Sequence, residues 1–216
     1  MPVIKRIVIP ELLDHLPPDD PEARRSRLDL RRINFFMGNE RWICREARRF
    51  PEAVSRGIVE IGAGDGELCH RLARMFPQAP VAAYDLAPAP VSPGSRVVWH
   101  RGDLFKSPAP TGGGLVVANL FAHHFEADAL AALGRWMANF EVILLNEPDR
   151  TRLPHLLGGL MRPFMNRVTH HDMHVSINAG FCEGELTEFL GLDPGEWSIR
   201  ETSTWRGARR VVTCRT

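Results

Sequence analysis

The sequence predicts an α/β fold, a mostly parallel sheet whose strands alternate with helices. Three observations carry that prediction. Gly57 to Leu68 reads Gly-Ile-Val-Glu-Ile-Gly-Ala-Gly-Asp-Gly-Glu-Leu, an apolar run followed by three spaced glycines that turn the chain into a helix. Further apolar runs recur at Val81 to Leu86, Arg96 to His100, Leu115 to Leu120 and Val142 to Asn146, with helical or turn sequence between them. Trp197 to Trp205 and Arg210 to Cys214 then read as a closing antiparallel pair.

The elements follow in order. Residues 1 to 20 carry Ile7, Val8 and Ile9 and then Pro17-Pro18-Asp19-Asp20-Pro21, a turn with helix-start character. Glu22 to Phe36 is an arginine-rich helix with Leu28, Leu30, Ile33, Phe35 and Phe36 on its apolar side. Gly38 stops it, and Asn39 is expected to cap a second helix through about Phe50. The basic run Arg24, Arg25, Arg27, Arg31 and Arg32 reads as a solvated face, because no aromatic-interleaved basic module accompanies it.

After the glycines a helix is expected from near Asp65 to Pro77, with Leu68, Leu72 and Met75 facing inward. Pro108 to Gly114 is a loose linker, and Asp128 to Met137 is helical. Thr151 to Phe181 is the most distinctive segment. Its first part sets Leu153, Leu156, Leu157, Leu160, Met161, Phe164 and Met165 at helical spacing, and its second contains His170-His171-Asp172-Met173-His174. The stripe reads either as the wall of a greasy substrate channel or as a helix packed on the domain. Residues 183 to 190 form a last helix.

Composition limits the function. With 216 residues and 44% hydrophobic content there is room for one α/β domain plus a short accessory segment. A net charge of +1 offers no global attraction to nucleic acid or an anionic membrane. Cys44, Cys69, Cys182 and Cys214 form no C-x-x-C pair and read as small apolar fillers in a reduced, cytoplasmic setting. Neither a signal-peptide core nor an apolar run of membrane-spanning length is expected.

The glycine spacing selects the ligand. A dinucleotide fingerprint is Gly-x-Gly-x-x-Gly, whereas Gly62, Gly64 and Gly66 place the third glycine one residue early, and Glu60 puts an acid at the strand end. A carboxylate there suits a cation better than a pyrophosphate. Asp85, nineteen residues past Gly66 at the end of the second strand, stands near the offset at which an acid meets ribose hydroxyls.

On these residues the chain resembles the class I S-adenosylmethionine-dependent methyltransferases, whose first motif is acid-x-Gly-x-Gly-x-Gly. The resemblance implies a Rossmann-like, mostly parallel seven-stranded sheet with an antiparallel final strand and an N-terminal helical lid. It implies S-adenosylmethionine as cofactor, held by Glu60, Gly62, Gly64, Gly66, Asp85, Leu86 on the adenine, Asp103 at the adenine amine with Leu104 beside it, and Asn119. Residues 1–52 would form the helical cap and residues 53–216 the methyltransferase domain, with a substrate-recognition insert around 151–182.

Asn119-Leu120-Phe121-Ala122-His123-His124-Phe125 is similar to segments of small-molecule members, including relatives of ubiquinone and menaquinone biosynthesis enzymes. No Asn/Asp-Pro-Pro-Tyr/Phe tetrapeptide of amino-group methylases is present. The expected reaction is methylation of a hydroxyl, or an activated carbon, of a small, largely apolar phenolic, polyketide or quinone precursor, as in secondary metabolism. One general base suffices for it. A histidine is the side chain suited to take the proton near pH 7, so His124 or His123 is the candidate base, with His171 or His174 as partner or alternative. His123 also reads as a cap for the next helix. No metal is expected, since zinc motifs of defined spacing are missing around His170 to His174. Glu147 and Arg150 read either as holders of a substrate carboxylate or as a structural ion pair. The alternatives are a protein or peptide methyltransferase and a non-catalytic cofactor-binding assembly factor; the oligomeric state stays open, a homodimer included.

Overall fold

The computed structural model describes residues 5–17, 19–90 and 96–216. Pro18 of the expected Pro17 to Pro21 turn therefore lies outside the described residues. Seven strands, β1 (Ile58–Ile61), β2 (Val81–Asp85), β3 (Val97–Arg101), β4 (Gly113–Asn119), β5 (Phe140–Pro148), β6 (Trp197–Ser203) and β7 (Ala208–Arg215), form one sheet in the order β3-β2-β1-β4-β5-β7-β6. All neighbours are parallel except β7, which runs antiparallel to β5 on one side and β6 on the other.

The central strands are apolar on both faces because both are covered. In β4, Val116 and Ala118 join one core and Leu115 and Val117 the other; in β5, Ile143 and Leu145 alternate with Val142 and Leu144 in the same way. One layer contains α3 (Asn39–Ala47), α4 (Pro51–Arg56) and α5 (Glu67–Met75), contributing Ile43, Val54 and Leu72. The other contains α6 (Ala127–Met137) and α9 (Glu185–Phe189), contributing Leu133, Met137 and Leu186. A crossover occurs between β3 and β4, which lie on opposite sides of β1, so the chain reverses its direction of winding at β1.

The remaining helices stand at the carboxyl ends of the strands. They are α1 (Leu12–His15), α2 (Pro21–Met37), α7 (Arg152–Met161) and α8 (Arg167–Ala179), with α2 and α7 both packed on α8. Asp20 caps α2 by accepting from the N–H groups of Glu22 and Ala23, with Pro21 in the first turn. Gly38 ends α2 in the left-handed conformation, as expected of a helix stop. Asn39 does not cap α3. Its side chain is buried and donates instead to Asn34 Oδ1 at 2.9 Å, which ties the two helices together. α5 begins at Glu67, two residues later than expected, because Gly66 itself adopts a left-handed conformation. Among the described residues no helix is long and apolar enough to cross a membrane.

Candidate active site

The glycine turn is shaped by what each glycine meets. Gly62, Gly64 and Gly66 all have positive φ, at 65°, 55° and 75°. A Cβ on Gly62 would lie 2.2 Å from Cδ2 of Phe121, so this glycine admits the ring that leads into the histidine segment; around Gly64 there is open space. The Gly64 N–H donates to Asp85 Oδ2 at 2.7 Å, and the Ala87 N–H to Asp85 Oδ1 at 2.7 Å. Each carboxylate oxygen of Asp85 keeps a lone pair for another donor.

Glu60 lies beneath this turn, 3% exposed, and its Oε2 has no hydrogen-bond partner. Burial pushes its carboxyl well above the usual range, against smaller opposing contributions from Cys69. The Cys69 thiol is pushed up to about 12 by burial and by Glu60, and donates to the Gly66 carbonyl. It is a neutral filler, as read from the sequence. Asp103 accepts from the Phe105 N–H at 3.0 Å, Leu86 is 72% exposed, and Leu104 is buried in the core.

A second cluster begins where β4 ends. Leu120 is the only non-glycine described residue with positive φ (56°), a bend that turns Phe121 to His124 over the sheet. Glu147, fully buried at the end of β5, holds that bend. Its Oε1 accepts from the N–H groups of Phe121 (3.0 Å) and Ala122 (2.8 Å), and its Oε2 faces His123 Nδ1 at 2.8 Å. On the other side of the ring, His123 Nε2 faces Glu11 Oε1 at 3.5 Å. Burial would lower the pKa of His123, but hydrogen bonds to Glu11 and Glu147 prevail and push it up to about 9. Glu11 is drawn the opposite way: burial raises its pKa, yet His123 holds it below the ordinary carboxylate value. His123 is thus an imidazolium between two carboxylates. Its neighbour His124, with ring centroids 4.2 Å apart, has its pKa lowered by burial and by the adjacent His123 charge.

No protein-family model and no curated protein matches the chain. Among solved structures, it is similar to the plantazolicin methyltransferase BpumL in complex with a monoazolic desmethylPZN analog and SAH, with TM-score 0.69 over 91% of each chain at 9% identity. Human N-acetylserotonin methyltransferase in complex with SAM gives 0.61 at 15% identity, covering 94% of this chain and 61% of that one. Magnesium protoporphyrin IX methyltransferase from Synechocystis PCC 6803, with bound SAH, gives 0.56 at 14% identity over 94% and 91%. The chain has the class I methyltransferase fold.

Within the class I fold the expected residues fall into separate groups. The glycines, Glu60, Asp85, Leu86 and Asp103 gather around the ends of β1 and β2 and the turn after β3. Asn119, at the end of β4, accepts from Asn146 Nδ2 at 2.9 Å. His123 and His124 stand together. His123 caps no helix, since α6 starts at Ala127 and its cap residue Glu126 makes no side-chain bond. His171, exposed, has its Nδ1 3.0 Å from Asp172 Oδ1, and buried Asp172 accepts from the N–H groups of Leu12 and Leu13, which ties α8 to α1. His174 is turned the other way, with its Nδ1 3.1 Å from His155 Nδ1 on α7.

Glu147 and Arg150 do not pair with each other, and Arg150 Nη1 has no hydrogen-bond partner. Glu147 is committed to the bend, while buried Arg150 binds Glu185 and the Gly180 carbonyl. Glu11 and Asp14 are the site residues that sequence reasoning missed. Their only signal is a pair of acids three apart in an unremarkable leader; Arg6 brings them into place by donating to the carbonyls of His123, Phe125 and Ala179. Among the described residues Glu11, His123 and His124 are the one group of three or more His, Cys, Asp or Glu whose ligand atoms lie within 4.8 Å of one another. An ion there would have to displace the proton that the two carboxylates hold on His123.

Proposed function

We propose that the protein is an enzyme that transfers a methyl group from S-adenosylmethionine to a hydroxyl, or an activated carbon, of a small, largely apolar molecule such as a phenolic, polyketide or quinone precursor. One observation carries the reading: Glu60 is a buried carboxyl with an unpartnered oxygen beneath an open glycine turn. Such a group ionises readily only when a cation comes to it. S-adenosylmethionine brings an ammonium and a sulfonium and no phosphate, and the three similar structures named above carry SAM or SAH. When bound, it supplies an electrophilic methyl group. Gly64 leaves room for it, Asp85 offers its remaining lone pairs to ribose hydroxyls, and Leu86 and Asp103 flank the adenine position. The Arg31–Asp65 ion pair (2.8 Å) ties α2 to the glycine turn and supports α2 as the lid within residues 1–52, whose later part, α3, packs on the sheet instead.

Displacement at a sulfonium neutralises charge, so the protein has mainly to align the nucleophile and take one proton. His124 takes it. Its lowered pKa leaves the ring neutral at pH 7, and Glu11, Asp14 and Glu147 offset the charge it gains. His123, already protonated, is unsuited as base and holds the bend in place. His171, oriented by Asp172, is the alternative base.

Titration calorimetry tests the cofactor assignment. Heat is expected with both S-adenosylmethionine and its demethylated product, and well-folded protein showing none with either would overturn the reading. A screen of phenolic and lipid-like acceptors with labelled donor tests the rest. A peptide acceptor is the second reading, favoured by the outward-facing leucines of α7, and short peptides belong in the same screen.

A further inference from the structure

The apolar stripe of α7 lines no channel. Leu153, Leu156 and Leu160 are 43%, 63% and 66% exposed, and Phe164, in the turn that follows, is 75% exposed. The other side of the helix meets the protein. A Cβ on Gly207 would lie 2.8 Å from Pro154, and one on Gly158 would lie 2.4 Å from Met173 Cε. Small and cyclic residues thus take the inward positions, and rotating the leucines inward would break both contacts. The apolar surface continues past the helix start, where Trp205 packs edge-on against Phe36 at 6.2 Å and the Arg206 guanidinium lies over both rings.

The charge carried by this segment has one sign, the acids Glu22 and Asp29 beside it belonging to α2. Between Thr151 and His171 there are three exposed arginines, Arg152, Arg162 and Arg167, and no acidic residue. A two-fold contact between copies of this chain through the stripe would bring these arginines together without an acidic counterpart on the segment. Anionic phosphates supply what the segment lacks. We propose that α7 and the turn after it form an interfacial anchor that rests on an anionic phospholipid surface, with Leu156, Leu160 and Phe164 in the boundary between headgroups and acyl chains and the arginines on the phosphates. At ten residues α7 lies in the interface and does not span it. The anchor goes beyond the function proposed above and does not rest on it.

Sedimentation with phosphatidylcholine vesicles, with and without phosphatidylglycerol, tests the anchor on the full chain. The protein is expected to pellet with the anionic vesicles, less with neutral ones, and less at high salt. The double variant L156E/L160E is expected to lower vesicle partitioning by about tenfold or more without lowering the melting temperature, both sites being exposed. Should that variant fail to fold, R162E/R167E takes its place, with loss expected on anionic vesicles only. Wild-type protein that stays in the supernatant, or variants that pellet as well as wild type, would overturn the proposal. So would a wild-type dimer, seen by light scattering, that L156E/L160E converts to monomer.

Discussion

His123 and Glu147 close on each other inside the protein, imidazole Nδ1 to carboxylate Oε2 at 2.8 Å, with 3% of His123 and none of Glu147 exposed. The same carboxylate holds the backbone of the bend after β4, so one side chain fixes both the path of the chain and the charge of the ring.

Removing that carboxylate charge should be expensive. Glu147→Gln is expected to cost about 3 kcal/mol, the range for breaking a buried pair from one side, measured by denaturant unfolding. The His123 pKa should then lie below about 9, and an NMR titration of its ring resonances in the variant would check the fall.

The sign of the pH dependence follows from the same pair. The folded pKa of His123, about 9, exceeds its ordinary 6.5. Its stabilising contribution is therefore complete below pH 6.5 and is lost as pH rises towards 9. Wild type should lose stability over that interval relative to His123→Gln; parallel curves would exclude a charged His123.

His124 is expected to act as the base. His124→Gln should lower kcat by about 10²- to 10⁴-fold with little change in cofactor affinity. Because burial and His123 depress its pKa, the rise in wild-type activity should fall below pH 6.5. Removing the neighbouring charge in His123→Gln should move that rise to higher pH, and an unmoved profile would point to His171.

Glu60 sets stability against binding. Burial raises its pKa, so its contribution is fullest below about pH 4.5 and is lost as pH rises through the folded value. Glu60→Gln should keep or raise the melting temperature at pH 7 and weaken S-adenosylmethionine binding by about tenfold or more. Weakened binding with a lowered melting temperature would point to a structural role instead.

The glycines should separate in the same way. Gly62→Ala drives a methyl group into Phe121 and should cost about 2–4 kcal/mol. Gly64→Ala meets nothing and should cost only the 1–2 kcal/mol of left-handed strain while weakening cofactor binding, measured by calorimetry.

Much of this was legible in the chain. Alternating strands and the glycine turn depend on local periodicity and backbone demand, which short windows of sequence contain. The helix start at Glu67 slipped by two residues because Gly66 extends the turn in a left-handed conformation, at a place where a Cβ would lie 3.1 Å from Pro90 and 3.2 Å from Trp99.

The sequence by itself determined the order of strands and helices and which residues surround the glycine turn. Only the tertiary structure decided the partners of the histidines. Asp172 reaches Leu12 across 160 residues, His123 lies between Glu11 and Glu147, and His174 turns to His155, because each pairing depends on how α8 and the leader lie over the sheet. The facing of α7 was decided there too. Helical spacing places its leucines on one side, but the fit of Pro154 and Gly158 against the body is what turns that side outward.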